Sequence, residues 1–166
     1  MTKDTKADTK TATDSRERLI AGLQQDLARE YKAIIQYVIF SQKLDGARYM
    51  DIAAELEVHA HQELDHAIAI AKQLDFYGAY PVHEPAPVEI AEDNEGMLWA
   101  DLRAEDDTVA NYRERIIQAQ EAGEFALAEV LQGIIREEQD HQIDLASALE
   151  VVPDPRGRKG KPSKAS

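Results

Sequence analysis

Cysteine is absent from this sequence of 166 residues. Its absence excludes disulfides and thiolate metal sites, and it leaves histidine and carboxylate oxygen as the ligands available to a metal ion. Glycine and proline are sparse, at 8 and 6 residues, and the abundance of alanine, leucine and glutamate favours helices. No apolar run approaches the roughly 20 residues that cross a bilayer, and the N-terminus lacks a hydrophobic signal region. We therefore expect a cytoplasmic protein with no membrane partner.

The net charge of -13 is unevenly distributed along the chain. Residues 19–152 contain 27 acidic and 9 basic residues, a balance of -18, whereas residues 153–166 contain five basic residues and one aspartate. An acidic body favours cations as partners. The basic segment is interpreted as a solubilising, disordered tail. DNA binding through this tail is the less favoured alternative, because the acidic body repels phosphates.

Four long helical patterns follow one another along the chain. They cover residues 15–43, about 47–77, about 92–121 and about 124–152. The first begins after Asp14, where Asp-Ser-Arg-Glu has the pattern of a helix cap, and Pro153 stops the last one. We therefore predict a disordered tail over residues 1–13, one helical domain over residues 14–152 and a basic disordered tail over residues 153–166.

The connections between the patterns predict the topology. Short turns at Asp45-Gly46 and at Gly123 join the first and the last pair of helices into antiparallel hairpins. The connection between the second and third patterns contains three prolines and is long enough, at about 14 residues, to run the length of a bundle. The sequence therefore predicts an all-α fold, a four-helix bundle with one long crossover between helices 2 and 3.

Each helical pattern has one face that turns inward, found by stepping three and four residues at a time. This face is apolar except for a glutamate near its middle, and in the second and fourth patterns a histidine follows three residues later. These inward polar residues are Glu30, Glu63, His66, Glu105, Glu138 and His141. Buried ionised carboxylates lose hydration and repel one another, so four of them in register require a compensating group.

Two divalent metal ions would compensate the four carboxylates, since +4 balances -4. Residues three apart on a helix lie about 5 to 6 Å apart on one face, so both members of a Glu-x-x-His pair can reach one ion. One such pair in a glutamate-rich helix is weak evidence, but two pairs with two further inward glutamates form a specific set. Oxygen and imidazole ligands without sulfur suit iron or manganese, and zinc can also bind.

The segments around these residues resemble the ferritin-like di-iron proteins, and among them most closely bacterioferritin. The resemblance covers about residues 23–150. Its segments are EYKAIIQY (30–37), ELDHA (63–67), MLWADLRAE (97–105) and EEQDH (137–141). It implies a ferritin-like bundle that holds two iron ions per subunit, with manganese or zinc as possible substitutes.

The resemblance also implies a role for each site residue. The terminal metal ligands fall on Glu30 and Glu105, the bridging carboxylates on Glu63 and Glu138, the histidine ligands on His66 and His141, and the tyrosine beside the di-iron site on Tyr37.

Three departures from bacterioferritin bear on cofactors and assembly. Leu64 stands where the family has its haem-ligand methionine, so we expect no haem. Val58 and Gln62 replace the histidine and aspartate of an accessory iron site on the inner surface, which puts that site in doubt. The fifth short helix of 24-subunit ferritins has no counterpart, as in the 12-subunit miniferritins, although the cysteine pair of their bacterioferritin-like members is missing. The resemblance therefore implies a homo-oligomer of 12 or 24 subunits.

The leading hypothesis for function is a ferroxidase that oxidises Fe(II) with O2 or H2O2 and stores ferric mineral in a hollow oligomer, with Tyr37 supplying an electron or orienting the oxidant. One alternative is a peroxide-consuming iron or manganese protein, similar to rubrerythrin or manganese catalase. Another is a DNA-protecting protein similar to the starvation-induced miniferritins, which would use the basic tail.

Three further sets of polar residues have simpler interpretations. His59, one turn before Glu63 on the inward face, is interpreted as a core or interhelical histidine, with a role on the path of iron as the alternative. His61 and His83 are expected to face solvent. Asp101, Asp106 and Asp107 are expected on a solvated face or a subunit surface.

Overall fold

The computed structural model of the chain describes the backbone of residues 4–157 and the side chains of residues 15–157. Four long helices account for most of this region, and no strand lies among the described residues. They are α1 (Asp4–Lys43), α2 (Met50–Phe76), α3 (Asn94–Glu121) and α4 (Phe125–Ala148), with a short 3-10 helix at Ala47–Tyr49 before α2. α1 packs mainly against α2, and α3 packs mainly against α4. The predicted four-helix bundle is confirmed.

The start of α1 differs from the prediction, since the helix begins at Asp4 and not after Asp14. Residues 4–13, predicted as part of a disordered tail, are therefore helical. The segment contains neither glycine nor proline, so nothing in it interrupts the helical hydrogen bonds, and the capping pattern at Asp14 is not used as a helix end.

The ends of α2 and α3 agree with the prediction, because Gly78 and Gly123 follow them with φ angles of 76°. α4 ends earlier than the predicted residue 152. Glu150 adopts a φ of 56°, and the N–H of Val151 donates to the carbonyl of Ala146 at 2.9 Å. Val151 is buried in the core. The chain makes a tight turn after α4, at the place where the sequence predicts that the helix continues.

The segment after α4 packs against the bundle, which corrects the predicted disorder for residues 153–157. Gln139 Nε2 donates to the carbonyl of Pro155 at 2.7 Å, and Gln142 Nε2 donates to the carbonyl of Asp154 at 3.2 Å. Gly157 is buried with a φ of 61°, and a side chain there would lie 2.2 Å from the carbonyl oxygen of Asp106. The remainder of the predicted basic tail, residues 158–166, lies outside the described residues.

The crossover between α2 and α3 runs along α1. Gln24 Nε2 donates to the carbonyl of Tyr80 at 2.8 Å, and Gln24 Oε1 accepts from the N–H of Val82 at 2.7 Å. Further along, the N–H of Glu89 donates to Gln36 Oε1 at 3.0 Å. Side chains of α1 thus satisfy backbone groups of a segment that has no regular structure of its own.

Two hydrophobic clusters form the core, one on each side of the layer that contains the predicted site. The first cluster includes Leu23, Leu27, Ile70, Leu74, Leu127 and Leu131, and the second includes Phe40, Leu56, Leu98, Leu102, Leu145 and Ala146. These side chains are almost entirely buried, so the layer between them is shielded from water at both ends. No helix in the described part of the chain has both the length and the apolarity needed to cross a membrane.

Candidate metal centre

The six predicted ligands meet in the middle of the bundle, and none of them is more than 4% exposed. Their ligand atoms form two overlapping groups. Glu63 and Glu138 belong to both groups, whereas each remaining residue belongs to one. The first group adds Glu30 and His66, and the second adds Glu105 and His141. The arrangement is that of two neighbouring cation positions that share two carboxylates.

In the first group, Nδ1 of His66 lies near an oxygen of each of the three glutamates. This atom lies 3.2 Å from Oε2 of Glu63, 3.3 Å from Oε1 of Glu138 and 3.5 Å from Oε2 of Glu30. The four residues come from α1, α2 and α4, so the packing of three helices assembles the position.

In the second group, the corresponding atom is Nδ1 of His141. It lies 3.1 Å from Oε1 of Glu63, 3.3 Å from Oε2 of Glu138 and 3.9 Å from Oε1 of Glu105. Each shared glutamate therefore turns one oxygen to each histidine. Glu105 brings α3 into the site, so all four helices contribute ligands.

These distances fit the binding of metal ions. Two ligand atoms bound to the same ion at about 2.1 Å lie roughly 3 to 3.5 Å apart, close to most of the separations in both groups. Several of the buried ligand atoms also have no hydrogen-bond partner, which is costly unless a cation binds them. They are Glu30 Oε2, Glu63 Oε1, Glu105 Oε2, both carboxylate oxygens of Glu138, and His141 Nδ1.

Two buried tyrosines hold the terminal glutamates. The hydroxyl of Tyr37 on α1 donates to Oε1 of Glu105 on α3, and the hydroxyl of Tyr112 on α3 donates to Oε1 of Glu30 on α1 at 2.5 Å. Only Tyr37 was predicted beside the site. The sequence does contain a signal for Tyr112, because it follows Glu105 by seven residues, as Tyr37 follows Glu30.

The outward nitrogens of both histidines also have partners. Nε2 of His66 lies 3.2 Å from Oε2 of Glu137, and Nε2 of His141 lies 2.9 Å from Oε1 of Gln62. Such contacts fix the orientation of an imidazole and keep its other nitrogen aimed at a metal ion. Gln62 thus contacts a candidate ligand of the central site.

Burial raises the pKa of the Glu30 carboxyl well above its ordinary value, and the neighbouring carboxylates of Glu138 and Glu63 raise it further. Burial and the same two neighbours also raise the pKa of Glu105. Without a cation, four carboxylates in a dry layer cannot all ionise, and the two terminal glutamates favour their protonated forms.

Burial lowers the pKa of the two histidines, but the carboxylates around them outweigh it. The close carboxylates of Glu138 and Glu63 raise the pKa of His141 to about 9, and the pKa of His66 is raised well above its ordinary range for the same reason. For Glu63, burial raises the pKa, but its contacts with His141 and His66 prevail and lower it. Protons on the two histidines and on the terminal glutamates thus compensate the remaining negative charge of the site. A metal ion must displace these protons in order to bind.

Two aspartates expected on the surface are buried. Oδ1 of Asp101 accepts from Nε2 of Gln36 at 3.0 Å, and burial raises the pKa of Asp101 to about 8. Oδ1 of Asp106 accepts from Nε2 of Gln142 at 2.6 Å. The expectation of a solvated face was wrong for both, because each aspartate has an amide partner from another helix.

The other histidines lie where the sequence predicted them. His59 is 1% exposed, and it contacts Asp144 on α4 across 3.2 Å as an interhelical histidine. His61 and His83 are exposed to solvent.

Residues 20–153 of the chain match the Ferritin family, described as a ferritin-like domain. The chain belongs to the Ferritin family. The matched region spans the packed parts of α1 to α4 and contains all six residues of the candidate metal centre. The predicted resemblance to the ferritin-like proteins and to bacterioferritin is confirmed.

Relatives of this ferritin-family chain align with most of its length. Bacterioferritin from Desulfovibrio desulfuricans is 27% identical over 129 residues, which are 77% of this chain and 72% of the relative. A ferritin-like, diiron-carboxylate protein from Bacillus anthracis is 30% identical, with a TM-score of 0.78 over 81% of this chain and 97% of its own. A dodecameric thioferritin from Bacteroides fragilis, described as bacterioferritin-related, is 24% identical, with a TM-score of 0.75 over 87% of this chain and 92% of its own.

Proposed function

We propose that this ferritin-family protein is a ferroxidase that oxidises Fe(II) with O2 or H2O2 and stores the ferric product in a hollow homo-oligomer. The observation that carries the proposal is the pair of overlapping ligand groups that share Glu63 and Glu138. Oxygen and nitrogen ligands without sulfur suit iron, and shared carboxylates bring two ions to about 3.5 to 4 Å, the separation typical of paired-metal chemistry. Similarity to a diiron-carboxylate protein supports the same metal.

Fe(II) is the substrate of the proposed reaction, and manganese or zinc are proposed as substitutes in binding. Two Fe(II) ions give two electrons to O2, which takes up two protons and becomes H2O2. With H2O2 as oxidant, the same two electrons and two protons give two molecules of water. Tyr37, bonded to Glu105, is proposed to orient the oxidant or to supply an electron. The four glutamates match the charge of two divalent ions when all are deprotonated.

An exposed apolar surface on α1 and α2 supports assembly into an oligomer. Val38 and Leu64 are 53% and 47% exposed, and they line a pocket of about 520 Å³ together with Ile34. An apolar surface of this kind favours contact with another copy of the chain. We propose 12 or 24 subunits, and similarity to a dodecameric protein favours the former. With Leu64 in place of methionine, no haem is proposed at this surface.

Stopped-flow mixing of Fe(II) with the apo-protein, followed by O2 or H2O2, tests the reaction. Glu63→Ala and His141→Ala should lower the rate of Fe(II) oxidation at least about a hundredfold, because each removes a ligand and leaves the other charges unmatched. The matched controls are Asp65→Ala and Asp140→Ala, which alter exposed residues on the same helices and should retain the full rate. Equal rates in all four variants would refute the site.

The same experiment distinguishes the oxidants. Faster oxidation with H2O2 than with O2, together with retention of only two irons per chain, would contradict iron storage and indicate a peroxide-consuming protein. Native mass spectrometry of the same sample gives the number of subunits and the iron content. A hollow assembly with many irons per subunit supports storage, and a dimer with two metals per chain contradicts it.

A further inference from the structure

A third group of ligand atoms lies beside the metal centre and is separate from it. It consists of Glu55 and His59 on α2 and Asp144 on α4, whose ligand atoms all lie within 4.8 Å of one another. Nε2 of His59 is 3.2 Å from Oδ2 of Asp144 and 3.9 Å from Oε1 of Glu55. The His59–Asp144 separation lies within the roughly 3 to 3.5 Å between ligands of one divalent ion, and the His59–Glu55 separation is somewhat longer.

The group is accessible from outside, unlike the central site. The side chains of Glu55 and Asp144 are 46% and 42% exposed, and both line an open pocket of about 290 Å³. Asp51 adds a third carboxylate to the lining of the pocket. Arg48 is the one cation in that lining, and its Nη2 is paired with Glu150 at 3.0 Å. The pocket therefore attracts cations and can admit a hydrated one.

A buried imidazole contacts the two carboxylates that line the pocket. His59 is 1% exposed, its Nε2 faces the two carboxylates, and its Nδ1 has no hydrogen-bond partner. When the proton of the neutral ring is on Nδ1, Nε2 directs its lone pair toward Glu55 and Asp144, where a cation would bind. The ring of His59 stacks on that of His141, with 4.0 Å between centroids, so the group adjoins one cation position of the centre.

We propose that Glu55, His59 and Asp144 bind a third divalent cation in this pocket, next to the two-ion centre. Two carboxylates and one imidazole, with the open side left to water, suit first-row divalent ions such as Fe(II), Mn(II), Co(II) and Zn(II). The site goes beyond the proposed function, because binding there requires neither oxidation nor storage.

Co(II) binding to the assembled full-length protein tests the proposal, with the bound metal counted by equilibrium dialysis and elemental analysis. The unaltered protein should bind one more Co(II) per subunit than Asp144→Asn, and His59→Ala should show the same loss. Asp51→Asn removes an equal charge from the same pocket without removing a proposed ligand, and it should retain the third ion. Circular dichroism of each variant confirms that the helices are intact.

Two outcomes would overturn the third site. The first is an unchanged number of bound Co(II) ions per subunit in Asp144→Asn. The second is an equal loss of Co(II) in Asp51→Asn, which would show that the negative charge of the pocket attracts the ion and that the proposed ligands do not bind it. A parallel comparison of Asp144→Asn and its parent in a Glu63→Gln background separates the two proposals. A difference of one ion should persist there even if the two-ion centre binds no metal.

Discussion

Oε1 of Glu63, on α2, lies 3.1 Å from Nδ1 of His141, on α4. The other carboxylate oxygen of Glu63 lies 3.2 Å from Nδ1 of His66. One side chain therefore faces both histidines and belongs to both cation positions, as does Glu138. Glu30 and Glu105 belong to one position each, so the four glutamates are not equivalent.

The shared and terminal glutamates should differ in their effect on metal binding. Glu63→Ala removes a ligand from both positions, and we expect the affinity for both ions to fall at least about tenfold. Glu105→Ala removes a ligand from one position and should weaken one ion only. Isothermal titration with Zn(II) distinguishes the two variants. Loss of a single ion in Glu63→Ala would show that its carboxylate is not shared.

The two tyrosines should act on different ions. Tyr112→Phe deprives Glu30 of its hydrogen bond, and the first ion should bind about 10- to 100-fold more weakly, a loss typical of partners that orient a ligand. Tyr37→Phe should weaken the second ion instead, through Glu105. Titration of both variants with Zn(II) measures these effects. Equal weakening of both ions by one variant would contradict the separate pairing.

Metal binding should release protons. His141, with a pKa of about 9, is protonated at pH 7, and burial raises the pKa of Glu30 and Glu105. A metal ion needs the deprotonated forms, so its affinity should increase between pH 6 and pH 8. The number of protons follows from titration with Zn(II) at one pH in buffers of different ionisation enthalpy. An observed enthalpy that is the same in every buffer would exclude proton release.

The stability of the metal-free protein should decrease as pH rises above neutrality. The pKa of His141 is raised from 6.5 to about 9, so its contribution is complete below pH 6.5 and is lost as pH rises through about 9. The melting temperature of chelator-treated protein should fall over this interval. Bound Zn(II) should remove much of the fall, because the ion replaces the protons. A melting temperature that rises over the same interval would contradict the assignment.

The crossover should depend on Gln24, which bonds both Tyr80 and Val82. Gln24→Ala removes two hydrogen bonds, and the free energy of unfolding should fall by about 1 to 3 kcal/mol. Gln25→Ala, at the exposed neighbouring position, should change it by less than about 0.5 kcal/mol. Urea denaturation of both variants provides the comparison. An equal effect of the two substitutions would show that the crossover is not held through Gln24.

The convergence of the six candidate ligands was predictable because its signal is local. Glu63 and His66, and likewise Glu138 and His141, lie three residues apart on one face of a helix, and apart from His59 on α2 that face is otherwise apolar. Because each helix buries one such polar group, the four groups are expected to meet in one layer of the bundle. The structure brings all six residues into that layer.

The surroundings of the centre were less predictable, because their partners are far apart in sequence. The amide that bonds Asp101 comes from Gln36, 65 residues earlier, and no periodicity relates the two. The end of α4 was misjudged for another reason. Its left-handed residue is Glu150, whereas glycines mark the ends of α2 and α3 and carry a clear sequence signal.

The central claim is that six residues bind two ions that share Glu63 and Glu138. Diffraction from crystals loaded with Fe(II) without oxygen, measured on both sides of the iron absorption edge, tests it most directly. We expect two anomalous peaks per subunit, about 3.5 to 4 Å apart and on either side of the two shared carboxylates, in addition to any peak beside Asp144. A single peak, or none, among the six ligands would contradict the claim.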